Sequence, residues 1–211
     1  MRNFLPEKIA RVSALAGALL LVPALTGATP YLVTNLVTDD QSVNAAKIVD
    51  PQLQNAWGIS FSPTSPFWVA DNRTGLATLY RVDPVTNVPA KQGLVVTIPG
   101  DGTVTGTTFN PGSGFNAERF LFVSEDGTVS GFTGATTAVV IQTADPANVY
   151  KGATLDNFGG NSYLLASNFR AGKIDVLKGT PGAPNLPGNF TDPALPAGYA
   201  PFNVQILGGF V

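Results

Sequence analysis

The chain contains neither cysteine nor histidine. Zinc sites built from those ligands are therefore impossible. Cysteine nucleophiles and Ser–His–Asp triads are excluded with them. No disulfide can form, so thiols carry no information about the redox compartment, and no cysteine exists to bear a lipoprotein's lipid. Any metal must be a hard cation such as calcium, held by Asp, Glu, Asn and backbone carbonyls. The composition points to no other cofactor. Charge is scarce too: Asp, Glu, Lys and Arg make up 12% of the residues, about half the usual share. The net charge is −2 and there is no basic patch, so nucleic acid is not an expected partner.

What is present favours strands and turns. The 211 residues are enough for one large domain or two small ones, and an apolar fraction of 44% supplies a core. Gly (23) and Pro (17) are both above average usage, which favours many turns over long helices. Thr and Val are abundant, Met occurs once, and that balance favours strands. No stretch after residue 30 shows a 3.6-residue apolar period.

The first 28 residues read as a secretory signal peptide. Arg2, Lys8 and Arg11 stand against one acid, Glu7, and an apolar run follows over 12–25. Thr26-Gly27-Ala28 then offers small residues at −3 and −1 to a cut after Ala28. The alternative is an uncleaved anchor helix, but the run is shorter than the roughly 20 residues a span needs, and Pro23 breaks its end. Removing the four charged residues of this segment from 12 basic and 14 acidic leaves 9 and 13, a mature net charge of −4. That suits an exported protein in the periplasm, at the cell surface or outside the cell, with no membrane span in the mature chain.

Residues 29–211 carry a repeat. Trp57-Gly58-Ile59-Ser60-Phe61 is followed by Phe67-Trp68-Val69-Ala70-Asp71-Asn72, Gly75 and Ala77-Thr78-Leu79-Tyr80. Thr105-Gly106-Thr107-Thr108-Phe109 is followed by Phe120-Leu121-Phe122-Val123-Ser124-Glu125, Gly127 and Thr128-Val129-Ser130. Lys151-Gly152-Ala153-Thr154-Leu155 is followed by Tyr163-Leu164-Leu165-Ala166-Ser167-Asn168, Gly172 and Lys173-Ile174-Asp175. A fourth unit starts at Phe202-Asn203-Val204-Gln205-Ile206-Leu207. The leading glycines are 48 and 46 residues apart and the turn glycines 52 and 45. Thr/Val-rich runs at 94–98 and 138–143 supply an outer fourth strand. Four short strands per ~45 residues is the β-propeller blade pattern. The expected fold is thus all-β, with four-stranded antiparallel blades near 56–100, 105–143 and 151–200. A β-sandwich is the alternative, and it does not explain the recurrence.

The stretch from Asn55 to Asn72, with Tyr31-Leu32-Val33-Thr34-Asn35-Leu36-Val37-Thr38-Asp39 before it and Gly75-Leu76-Ala77-Thr78-Leu79-Tyr80 after it, resembles a family of exported bacterial proteins. Some of its members carry a C-terminal PEP-CTERM sorting signal. Phe67–Asn72 also resembles the strand and turn of NHL-type propellers. The resemblance implies a propeller of about six blades and no established activity. Against that size the chain holds three blades and the start of a fourth, and Gly208-Gly209-Phe210-Val211 is not a sorting signal. It reads as the N-terminal part of such a protein, a partial ring. The segment 32–37 is expected as an outer strand for a final blade, and open edges then favour an oligomer or aggregate.

In a blade, the start of the first strand and the end of the second lie on one face. That places Asn55 and Trp57 beside Asp71, Asn72 and Arg73, Val104 near Glu125 and Asp126, and Lys151 near Asn168 and Arg170, around one mouth of the channel. Each has a plainer reading. Asp71-Asn72 is a good turn former, Glu125-Asp126-Gly127 a hairpin turn, and Trp57 and Trp68 are expected in the core. Asn72-Arg73-Thr74 and Asn189-Phe190-Thr191 match the short glycosylation sequon. The functional expectation is a binding or scaffold module for a small molecule, a glycan or a protein at the cell envelope. The alternatives are a calcium-dependent hydrolase or lactonase and a fragment without function of its own.

Overall fold

The computed structural model describes residues 31–208; the expected signal peptide lies outside them. The described chain is all-β, and its one helical element is a 3-10 turn at Phe115–Ala117. No helix among the described residues is long and apolar enough to cross a membrane.

Two short strands come first. β1 (Val37–Thr38) pairs in parallel with β2 (Ile48–Val49). The outer strand expected over 32–37 is therefore not formed: pairing begins only at Val37 and involves two residues. Three antiparallel meanders follow. The first contains β3 (Ala56–Ser60), β4 (Phe67–Asp71), β5 (Leu76–Val82) and β6 (Pro89–Thr97). The second contains β7 (Val104–Phe109), β8 (Phe120–Ser124), β9 (Val129–Phe132) and β10 (Val139–Gln142). The third has three strands, β11 (Tyr150–Phe158), β12 (Asn161–Asn168) and β13 (Lys173–Lys178). The second and third begin at Val104 and Tyr150, and the third lacks the outer fourth strand expected of it. The expected fourth unit is not a strand over 202–206. The strands form no closed ring among the described residues.

The turn glycines have a direct reason. Gly75, Gly127 and Gly172 all follow the second strand of their sheet at positive φ (65°, 84° and 66°), where a Cβ is strained. The sheets stack in chain order through alternating apolar faces. Trp68, Ala70, Ala77, Leu79 and Val96 of the first meet Phe120, Phe122 and Val104 of the second. From the other face of the second, Leu121, Val123 and Val129 meet Tyr150, Leu164 and Ala166 of the third. Period-2 alternation thus sends odd and even positions of one strand to two different neighbours.

The leading glycines mark where the first strands of successive sheets touch. A Cβ on Gly58 would lie 2.5 Å from the Thr105 carbonyl oxygen and 2.8 Å from the Thr107 nitrogen. One on Gly106 would lie 2.8 Å from the Ala153 nitrogen and 2.9 Å from Val123. One on Gly152 would meet Asn203. So Asn203 lies against β11 much as Gly106 lies against β3, although its segment is not a strand. Gly106→Ala should lower unfolding stability by about 1–3 kcal/mol, the usual cost of overpacking. Gly93→Ala in β6, where a Cβ meets nothing within 4 Å, should be close to neutral. Urea unfolding of both variants checks the contrast; equal losses would refute the close-approach explanation.

Candidate functional site

Each first strand is irregular at the same place. The register with the second strand shifts between Ala56 and Ile59, between Val104 and Gly106, and between Tyr150 and Ala153. A bulge re-aims the side chain it carries. The residues just before the glycines are Trp57, Thr105 and Lys151, and all three line one cleft of about 620 Å³. Phe202, Asn203, Val204 and Gln205 close its far side.

A polar chain runs across the sheets at this end. Asn55 has φ 51°, a left-handed conformation that asparagine tolerates. Its Nδ2 donates to Asn72 Oδ1 at 2.9 Å. The Asn72 Nδ2 donates to the Val104 carbonyl at 3.2 Å and to Glu125 Oε2 at 3.3 Å. The other oxygen of Glu125 accepts from Lys151 Nζ in an ion pair. The Lys151 ammonium in turn lies over Trp57, Phe169 and Phe202, 5.0, 5.7 and 5.8 Å from their ring centroids. Trp57 stacks on Phe202 at 5.6 Å, and Phe169 meets Phe202 edge-on at 6.1 Å. Contacts of this kind hold a cation by the ring quadrupole.

The structure therefore brings Asn55, Asn72, Glu125 and Lys151 together. It does not bring the others. Asp71 is fully buried, at 0% exposure, and neither carboxylate oxygen has a hydrogen-bond partner. It ends β4 directly opposite Ala56, on the face turned away from the second sheet. Burial pushes its carboxyl up to about 7, with Thr78 and Lys91 opposing and the Asp50 charge adding to it. Asn168 is buried too, and donates to Asp175 Oδ2 at 2.7 Å and Asn148 Oδ1 at 2.8 Å. Phe169, the next residue, lies beside Lys151 and Phe202 in its place. Asp126 takes the turn role: its carboxylate accepts from the Thr128 and Asp101 backbone N–H groups at 2.8 and 3.0 Å. Arg73 and Arg170 are exposed. Trp68 is core as expected, but Trp57 is a half-buried cleft residue. Asn72 is nearly buried and its amide is engaged, so its sequon is not open to glycosylation in this fold.

Two aromatic residues beside Lys151 and one buried carboxylate away from the cleft carry no local signal in the sequence. Phe169 and Phe202 lacked a polar signature, although Phe202 precedes Asn203 as Trp57 precedes Gly58. Asp50, beside Pro51, is buried and accepts from Tyr80 Oη at 2.5 Å and Lys91 Nζ at 2.6 Å; nothing local marks it. Among the described residues no three Asp or Glu side chains gather as a cation site. No protein-family profile matches the chain, and no curated protein matches it.

Proposed function

We propose that the chain is an exported β-propeller module of the cell envelope or extracellular space, and that it works by binding a ligand in the cleft between Trp57, Thr105, Lys151 and Phe202. Consecutive meanders with their first strands side by side support the propeller reading. The observation that carries the binding reading is the recurrence: the matching positions of successive repeats line one cleft, Trp57 and Lys151 with half-buried side chains and Thr105 with a buried one whose hydroxyl donates to the Val123 and Tyr150 carbonyls. Its volume, about 620 Å³, falls within the range of small-molecule sites. Binding is favoured over hydrolysis because Lys151 is the one charged side chain among the lining residues and Glu125 already neutralises it. Acid–base catalysis requires a group free to gain or lose a proton beside the substrate.

Trp57 supplies the test. In a Trp68→Phe background it is the sole indole, since the chain has two tryptophans. Its emission is titrated with a library of amino acids, nucleotides, organic acids and oligosaccharides. At least one class is expected to give a saturable change that Phe202→Ala abolishes. A flat response across the library would overturn the binding reading.

A further inference from the structure

We infer that the ligand of this cleft is an uncharged oligosaccharide. The inference rests on the binding function proposed above and names its chemical class.

The charge balance comes first. Lys151 is ion-paired with Glu125 and faced by three aromatic rings. An anionic ligand would have to separate that pair to reach the ammonium, and a cationic ligand would have to expel Lys151 from between the rings. Removing one partner of a part-buried pair leaves the other uncompensated. A ligand without charge disturbs neither.

The lining supplies the second argument. Ser60, Thr107, Thr108, Thr154, Asn203 and Gln205 are among the residues that line the cleft. Hydroxyl and amide groups both donate and accept, which is the pattern of a sugar's own hydroxyls. Ser60 Oγ and Thr107 Oγ1 lie 3.1 Å apart and share a hydrogen bond across the first two sheets, so the hydroxyl row is continuous from one sheet to the next. An apolar ligand would cover this lining and leave its remaining hydroxyl and amide hydrogen-bonding capacity without partners.

The third argument is the aromatic end. Phe202 is 55% exposed, and Trp57 lies beside it. A sugar ring has one face of C–H groups and a rim of hydroxyls. Such a ring packs its C–H face on an aromatic surface while its rim reaches the Thr, Asn and Gln groups further along. The two kinds of lining are thus arranged end to end as a polyol chain requires.

The experiment titrates the Trp68→Phe protein with cellohexaose, maltohexaose and chitohexaose, and in parallel with trigalacturonate and choline. At least one neutral hexasaccharide is expected to change Trp57 emission saturably. Its Kd should move less than twofold between 50 and 500 mM NaCl, since ionic screening has no ligand charge to act on. Phe202→Ala should weaken it at least tenfold. Circular dichroism and the urea midpoint confirm that this variant is folded, and Gln205→Ala provides a second, milder loss if it is not. Saturation by trigalacturonate or choline without any neutral sugar overturns the saccharide class and leaves cleft binding standing. Silence from all five probes, with a response from another library class, does the same. Silence from everything overturns both.

Discussion

Replacing Trp68 by Ala is expected to lower the unfolding free energy by about 3–5 kcal/mol, the range for truncating a buried large aromatic. Trp68 is 3% exposed in the middle of the contact between the first and second sheets. Its ring stacks on Phe120 at 4.3 Å and meets Phe132 at 4.7 Å and Phe122 at 6.2 Å. Alanine would leave three aromatic rings facing a void, and the strands around them are too well paired to collapse into it. Trp68→Phe should cost clearly less. It keeps the stack, and it removes an indole N–H that is buried with no hydrogen-bond partner, itself a liability of about 1–3 kcal/mol. Urea melts at constant m-value check the ranking. If Phe proves as damaging as Ala, the indole nitrogen has a role that the stacking argument omits. Amide exchange adds a spatial test. The Ala variant should lose protection first in β4, β5 and β8, while Leu164 and Ala166, packed on the far face of the second sheet, keep theirs longer.

The strands were legible in the sequence because their signals are local. Aliphatic and aromatic runs of the right length, a turn glycine after each second strand and a leading glycine near the start of each first strand all recur, and each has a counterpart in the structure. The orientation of the side chains was harder to read. Counting along the repeat puts Asn168 in line with Asn72 at the end of the second strand, which predicts it beside Lys151. The cross-strand partners give a different alignment: Ala56 faces Asp71, Val104 faces Ser124 and Tyr150 faces Asn168. One residue of offset moves every side chain to the other face. Asn168 therefore occupies the buried place of Asp71, and Phe169 the place of Asn72 and Glu125. The core expectation for Trp57 fails for a related reason. Large aromatics in strands are usually core, but a bulge in a first strand turns this one to the cleft. Such a bulge is a pairing irregularity, and a single strand's sequence does not display it.

Asp71→Asn is expected to stabilise the protein at pH 8 and to change it little near pH 4. The carboxyl of Asp71 has an ordinary value of 3.8 and is pushed up to about 7 by burial. The folded state therefore holds this proton more tightly than the unfolded chain does. Below the unfolded value both states are protonated and the group contributes no penalty. As pH rises from about 4 through 7 the unfolded chain ionises readily and the folded one resists, so stability falls; above 7 the loss is complete. At ~1.36 kcal/mol per pKa unit the full penalty is bounded at about 4 kcal/mol, and relaxation of the site brings the expected gain to the order of 2–4 kcal/mol. Asparagine suits the position on independent grounds, because Asn168 fills the matching place in the third sheet and bonds to Asp175 there. In the first sheet the new amide faces Thr78, whose Oγ is itself buried without a partner. The neighbouring Asp50 behaves oppositely. Burial works to raise its carboxyl, but the Lys91 and Tyr80 hydrogen bonds outweigh it and hold the value below 3.8. Its contribution is present above that value and is lost as pH falls through the lower one, so it shapes only the acid end of the profile. Burial also raises the Tyr80 phenol, which keeps donating to Asp50 across this whole range. Melting temperature measured from pH 4 to pH 9 should decline for the wild type above about pH 5 and stay level for Asp71→Asn until other groups titrate. Parallel curves would mean that Asp71 is compensated in the folded protein and carries no pH dependence of its own.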